Sequence, residues 1–196
     1  MKLIRYFFEY ILIVILFGLF KILGYRVASE FGCFLGKTFG PFFRSKKIIK
    51  NNLIKFDNSL TPEKIASISN EMWGNYGRIL SEYPFISSFR KGYLDKYIIV
   101  ENKEKLEEIK NGKPVVFISA HFSNFELMAM AIEKAGVDLS AIYRPLNNKM
   151  VNSIMEPLRK KYICKNQIKK GINGVRESLK FFKQGVSVAI MIDQRV

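Results

Sequence analysis

Three apolar runs alternate with helix-forming runs in the second half of this chain, and each run ends in a polar residue. Val115 to Ser119 reads as a strand and is followed by His121. Leu139 to Tyr143 reads as a strand and is followed by Arg144. Val186 to Ile192 is an unbroken apolar strand followed by Asp193. Between them, Asn124 to Ala135 (closed by Gly136), Asn147 to Tyr162 and Asn173 to Lys183 have helical character, with a kink expected at Pro157. Strands alternating with helices imply an α/β fold, with a mostly parallel or mixed sheet flanked by helices. Right-handed crossovers put the carboxyl ends of such strands on one edge, where open α/β sheets bind ligands. His121, Arg144 and Asp193 are therefore predicted to converge on one cleft.

Upstream, Thr61-Pro62-Glu63 opens a helix that runs to about Glu82 and stops before Pro84. Tyr97 to Val100 reads as a short strand, and Lys103 to Lys110 as a charged helix ended by Asn111-Gly112.

The N-terminal end is of another kind. Residues 6–24 read YFFEYILIVILFGLFKILG, interrupted only by Glu9 and Lys21. A spanning helix needs about 20 mostly apolar residues, so this segment is long enough to span marginally, with Lys21 snorkelling. Lys2 and Arg5 resemble the basic start of a signal peptide, but no small-residue cleavage site follows, so the segment reads as a retained anchor. Apolar and aromatic residues continue from Phe31 to Phe43, and Arg44, Lys46, Lys47, Lys50 and Lys55 follow. This second stretch re-enters the membrane, lies along its surface, or is a core helix. Positive charge on both sides of the first segment gives no clean orientation. The expected organisation is an anchor and membrane-associated segment over 1–45 and a catalytic domain over 46–196.

The 196 residues carry a formal net charge of +15, which favours anionic partners such as lipid head groups or an acidic carrier protein. No nucleic-acid motif is present, and the basic residues from Glu101 to Lys113 are interleaved with acids. One histidine and two scattered cysteines, Cys33 and Cys164, argue against a zinc site and against a disulfide framework.

The chemistry centres on His121, the single histidine, with Glu126 five positions later. Within one helix five residues turn about 500°, which would hold the two side chains apart. If His121 lies just before the helix, the loop can bend back and Glu126 can fix one ring nitrogen. The other nitrogen is then a base of defined tautomer. Ser123 and Cys164 are possible nucleophiles, but a helix cap is the simpler reading of Ser123. Asp193 is expected to orient another side chain.

His121-Phe-Ser-Asn-Phe-Glu126, Tyr143-Arg144-Pro145-Leu146-Asn147-Asn148, Arg159 and Ile192-Asp193-Gln194 closely resemble the bacterial lipid A biosynthesis acyltransferases. The resemblance covers nearly the whole chain, anchor included. It implies transfer of a fatty acyl group from acyl carrier protein to a hydroxyl of a lipid A precursor, at the cytoplasmic face of the bacterial inner membrane. His121 would be the base and Glu126 its partner. Arg144, Arg159 and Asp193 would match substrate-binding or active-site positions; since lipid A precursors carry phosphates, the resemblance implies phosphate or oxyanion contacts for Arg144 and Arg159, the alternative being a structural ion pair, for instance with Asp193. No cofactor is implied, since the carrier thioester is itself the acyl donor. Family members continue well beyond the aspartate-glutamine motif, whereas this sequence stops at Val196, so a truncated domain with an open sheet edge at its last strand is expected. The alternatives are an acyltransferase for another glycolipid or glycerophospholipid, and an inactive membrane-bound basic protein.

Overall fold

The computed structural model describes residues 2–193. Gln194 of the last motif, and Val196, lie outside the described residues. The chain divides into two compact units: Ile15–Phe85, and Met1–Val14 together with Ile86–Val196. The boundary falls inside the first helix, α1 (Lys2–Leu23).

The Ile15–Phe85 unit is helical. Its main contact is α2 (Tyr25–Phe39) against α4 (Pro62–Glu82), with α3 (Lys46–Phe56) between them in sequence. Thr61 caps α4 as expected, its hydroxyl accepting from Lys64 N–H at 3.3 Å, with Pro62 at the first helical position. The two backbones approach so closely that a Cβ on Gly32 would stand 2.5 Å from the Gly77 carbonyl oxygen. Ser29 donates to buried Glu82 at 2.7 Å, and Arg78 grips Glu30 with both terminal nitrogens at 2.8 and 2.9 Å. Thus one face of the Phe31 to Phe43 stretch is core, while Phe34, Phe39, Phe42 and Phe43 remain exposed.

The second unit is α/β. Its sheet has four parallel strands in the order β1-β4-β2-β3: β1 (Val116–Ser119), β2 (Leu139–Tyr143), β3 (Asn166–Lys169) and β4 (Ser187–Met191). Crossover helices are α7 (Glu126–Lys134), α8 (Lys149–Leu158) and α9 (Ile172–Lys183); α5 (Ile86–Arg90) and α6 (Lys103–Lys110) precede the sheet. The core is Leu139, Ile163, Ile168, Val188 and Ala189 under Met130 and Ile132. Buried serines pin the centre: Ser140 donates to the Ser187 carbonyl at 3.1 Å, and Ser187 accepts from Val115 N–H at 3.2 Å.

Three expectations change. Tyr97 to Val100 joins no ladder among the described residues; a 3₁₀ turn (Asp95–Tyr97) runs into extended backbone. The fourth strand is instead Asn166–Lys169, whose only buried residue is Ile168, so it lacks an apolar run. Among the described residues the last strand is not an edge: β4 lies between β1 and β2, and the two edges are β1, where Val116 and Ile118 are exposed, and β3. At Pro157, where a kink was expected, α8 runs on to Leu158, and the change from α to π geometry comes at Arg159–Ile163.

Candidate active site

The register of β1 against β4 builds the site. Ser119 pairs with Met191, so two residues further along each strand His121 and Asp193 stand side by side at the carboxyl edge. His121 Nδ1–H donates to Asp193 Oδ1 at 2.8 Å, and the His121 backbone N–H donates to Oδ2 at 3.1 Å. One carboxylate thus holds both the ring and the chain that carries it. This bond fixes the proton on Nδ1 and leaves Nε2 with a lone pair. The ring also meets the Phe125 ring edge-on, with centroids 4.5 Å apart. Burial works against charge on the Asp193 carboxyl, but the hydrogen bonds it accepts from the His121 ring and backbone outweigh it and hold Asp193 below the usual carboxylate range.

The loop after β1 makes this possible. Phe122 N–H bonds Ala120 O at 2.9 Å, and Ser123 adopts φ 41°, turning the chain before α7 starts. Ser123 does not cap that helix; the N-cap residue is Phe125, without a side-chain bond.

Glu126 is the first residue of α7 and is buried. The expected His121–Glu126 pair is replaced by two others. Asp193 takes His121, and Glu126 takes Arg159, whose Nε and Nη2 donate to Oε1 at 2.8 and 2.5 Å. The reason is topological. His121 and Asp193 end adjacent strands, whereas Arg159 begins the π turn at the end of α8 and is carried to α7. The alternative pairing of Arg159 with Asp193 gives way for the same reason. The Arg159 guanidinium also lies 5.8 Å from the Tyr143 ring centroid.

His121, Glu126, Arg144 and Arg159 line one cavity of about 260 Å³ at the carboxyl edge. Arg144, at the end of β2, is exposed and makes no ion pair among the described residues. The apolar side of the cavity includes Met128, Ile142, Ile163 and Ile190. Burial, aided by the Glu133 charge, pushes the Cys164 thiol up to about 12, and its Sγ faces Leu139 O at 3.2 Å. A neutral, enclosed thiol is not an available nucleophile. The unforeseen lining residues are Gln167 and Lys170, which belong to β3 and its end. Gly171, directly before a helical run, was the available sign of that strand end.

A histidine held by an acid beside a part-apolar, arginine-lined cavity suits removal of a proton from a substrate hydroxyl. Over residues 1–196 the sequence matches the family described as bacterial lipid A biosynthesis acyltransferase. The chain belongs to this family. None of the curated proteins compared with the chain matches it. Membership implies lipid A acyltransferase-type activity, and the family assignment agrees with the parallel-sheet fold and with the apolar N-terminal helix, a candidate anchor.

Proposed function

We propose that this protein transfers a fatty acyl group from an acyl carrier protein thioester to a hydroxyl of a lipid A precursor, with His121 as general base. The observation that carries this reading is the 2.8 Å bond between His121 Nδ1 and Asp193, which leaves Nε2 as the base in a cavity with apolar and cationic walls. Nε2 takes the proton of the acceptor hydroxyl, and the oxygen attacks the thioester carbonyl carbon. A tetrahedral oxyanion forms; the C–S bond then breaks, and the thiolate leaves with the proton from the imidazolium. The product is an ester and a free carrier thiol. No enzyme nucleophile and no cofactor is needed, because the thioester already activates the acyl group.

Arg144 and Arg159 supply positive charge for a substrate phosphate or for the oxyanion. Glu126 acts through Arg159, fixing its guanidinium at the cavity wall, while Asp193 takes the orienting role on His121. The partners are anionic lipid at the cytoplasmic face of the inner membrane, reached through α1, and an acidic carrier attracted by the net charge of +15.

The test supplies the full chain with acyl carrier thioester and a phosphorylated disaccharide lipid precursor. Mass spectrometry follows the acylated product, and thiol release is measured in parallel. His121→Ala should lower the rate by about 10²–10⁴, the usual contribution of a positioned base. A variant within tenfold of the unmodified rate would remove His121 from the mechanism. No transfer by the unmodified protein, with transfer to another lipid hydroxyl, would move the acceptor class.

A further inference from the structure

The Ile15–Phe85 unit holds a cavity of its own, of about 420 Å³, between α3, α4 and the 3₁₀ turn Gly40–Phe42. It shares no lining residue with the active-site cavity. The packing of α3 explains why the space is left. Ile48, Ile49, Leu53 and Ile54 of α3 are apolar, yet no residue of the helix is buried, so α3 does not close on α4. Trp73 forms one wall. Its ring lies so close to Gly40 that a Cβ there would clash with it, and its indole N–H, shut off from solvent, has no hydrogen-bond partner among the described residues. Ile49, Ile65 and Ala66 add to the apolar side.

The charged side is of one sign. Lys46, Lys47 and Lys50 line the cavity, and no carboxylate does. From Phe31 to Phe56 the chain carries no acid. The three lysines are exposed and make no ion pair among the described residues, whereas Lys37 and Arg78 of the same unit are paired with Glu71 and Glu30. Uncompensated charge at one opening favours an anion. An ammonium is a compact point charge with three donors, which suits phosphate oxygens. The volume fits a small ligand, whose pockets measure about 300–1,000 Å³, and not a folded protein. Between the lining residues Pro41 and Lys46, Phe42 and Phe43 are 85% and 81% exposed. Cations beside an apolar wall and exposed aromatic rings match a ligand with phosphate at one end and hydrocarbon at the other.

We propose that this cavity binds the phosphate-bearing head group of an anionic membrane lipid, with the phosphate held by Lys46, Lys47 and Lys50 and the adjoining apolar part laid on Ile65, Ala66 and Trp73. A free phosphate ion shares the charge chemistry but leaves the apolar wall bare, so the lipid is the better match. The site goes beyond the acyl transfer proposed above. Its binding is read without an acyl donor, so either reading can fail alone.

The test uses the full chain in a nonionic detergent and the emission of Trp73, the single tryptophan, which lines the site itself. Phosphatidylglycerol should shift the emission saturably. Phosphatidylcholine, with a choline cation beside the same phosphate, should bind at least tenfold more weakly. The triple variant Lys46→Gln, Lys47→Gln, Lys50→Gln should weaken phosphatidylglycerol at least tenfold with an unchanged circular dichroism spectrum. Ala66→Glu, which sets an acid on the apolar wall at an exposed position, should weaken it as well. The triple variant Lys103→Gln, Lys105→Gln, Lys113→Gln removes the same charge from exposed positions of the other unit and should stay within twofold of the unmodified chain. Equal losses in the two triple variants, equal binding of the two lipids, or no shift with phosphatidylglycerol overturns the site. Inorganic phosphate that displaces the lipid at equal concentration overturns the lipid as ligand. An acyl carrier protein that shifts the emission where the lipid does not assigns the surface to the carrier and overturns the proposal.

Discussion

Glu126 can serve the site in two ways, and the structure gives the means to separate them. Its carboxylate accepts two bonds from one guanidinium, with side-chain exposures of 9% for Glu126 and 13% for Arg159. Removing one partner of such a pair strands a charge with little water, at a cost of about 3–5 kcal/mol. The pair borders the cavity, so the lower end applies: Arg159→Met should lose about 3 kcal/mol. For a chain of this length that lowers the midpoint of thermal unfolding by roughly 6–12 °C, at 2–4 °C per kcal/mol. Glu126→Gln should lose less, because a neutral amide still accepts one hydrogen bond. The double variant should fall short of the sum of the single losses by about 1–2 kcal/mol, since removing the second charge after the first relieves the penalty. The assay is thermal unfolding followed by circular dichroism, with acyl transfer measured on the same four proteins. If the losses add to within about 0.5 kcal/mol, the pair is not coupled and the reasoning fails. If Glu126→Gln keeps full stability yet loses transfer as completely as His121→Ala, Glu126 acts on the histidine and not through Arg159.

Asp193 lies below its ordinary value of 3.8, so its bond to His121 adds stability that is present above the unfolded value and lost as pH falls through the lower folded one. Its carboxyl carbon resonance should therefore titrate with a midpoint below 3.8 in the intact protein and move back toward that value in His121→Ala; a native midpoint at or above 3.8 refutes the pairing. Gly32→Ala forces α2 away from the Gly77 carbonyl and should cost about 1–3 kcal/mol as overpacking. The urea midpoint, read from the fluorescence of Trp73, the single tryptophan, should fall; an unchanged midpoint would mean that the helices separate without loss.

Much of the fold was legible because its elements announce themselves locally. The Thr61-Pro62-Glu63 start of α4 and the Asn111-Gly112 stop after α6 depend on residues within one turn of each other, and both stand where expected. The strands β2 and β4 are buried in the middle of the sheet, so their sequences are apolar runs. β3 escaped notice because it is an edge strand with a single buried residue, and Tyr97 to Val100 misled because β-branched residues suit extended backbone whether or not a neighbour is there to pair.

The sequence by itself determined the alternating α/β plan, the gathering of His121, Arg144 and Asp193 at one sheet edge, and the family to which the chain belongs. The plan and the gathering follow from period, capping and strand-end position, and the family from the motifs the sequence shares with it. The tertiary structure alone decided which carboxylate meets the histidine. Strand order is a long-range choice: β4 inserts between β1 and β2, sets Asp193 beside a residue 72 positions earlier, and leaves Glu126 to Arg159. It likewise decided the setting of Glu9, whose partner Asn148 lies 139 positions away. Hydrogen bonds between distant residues depend on how the layers stack, and no spacing along the chain encodes that.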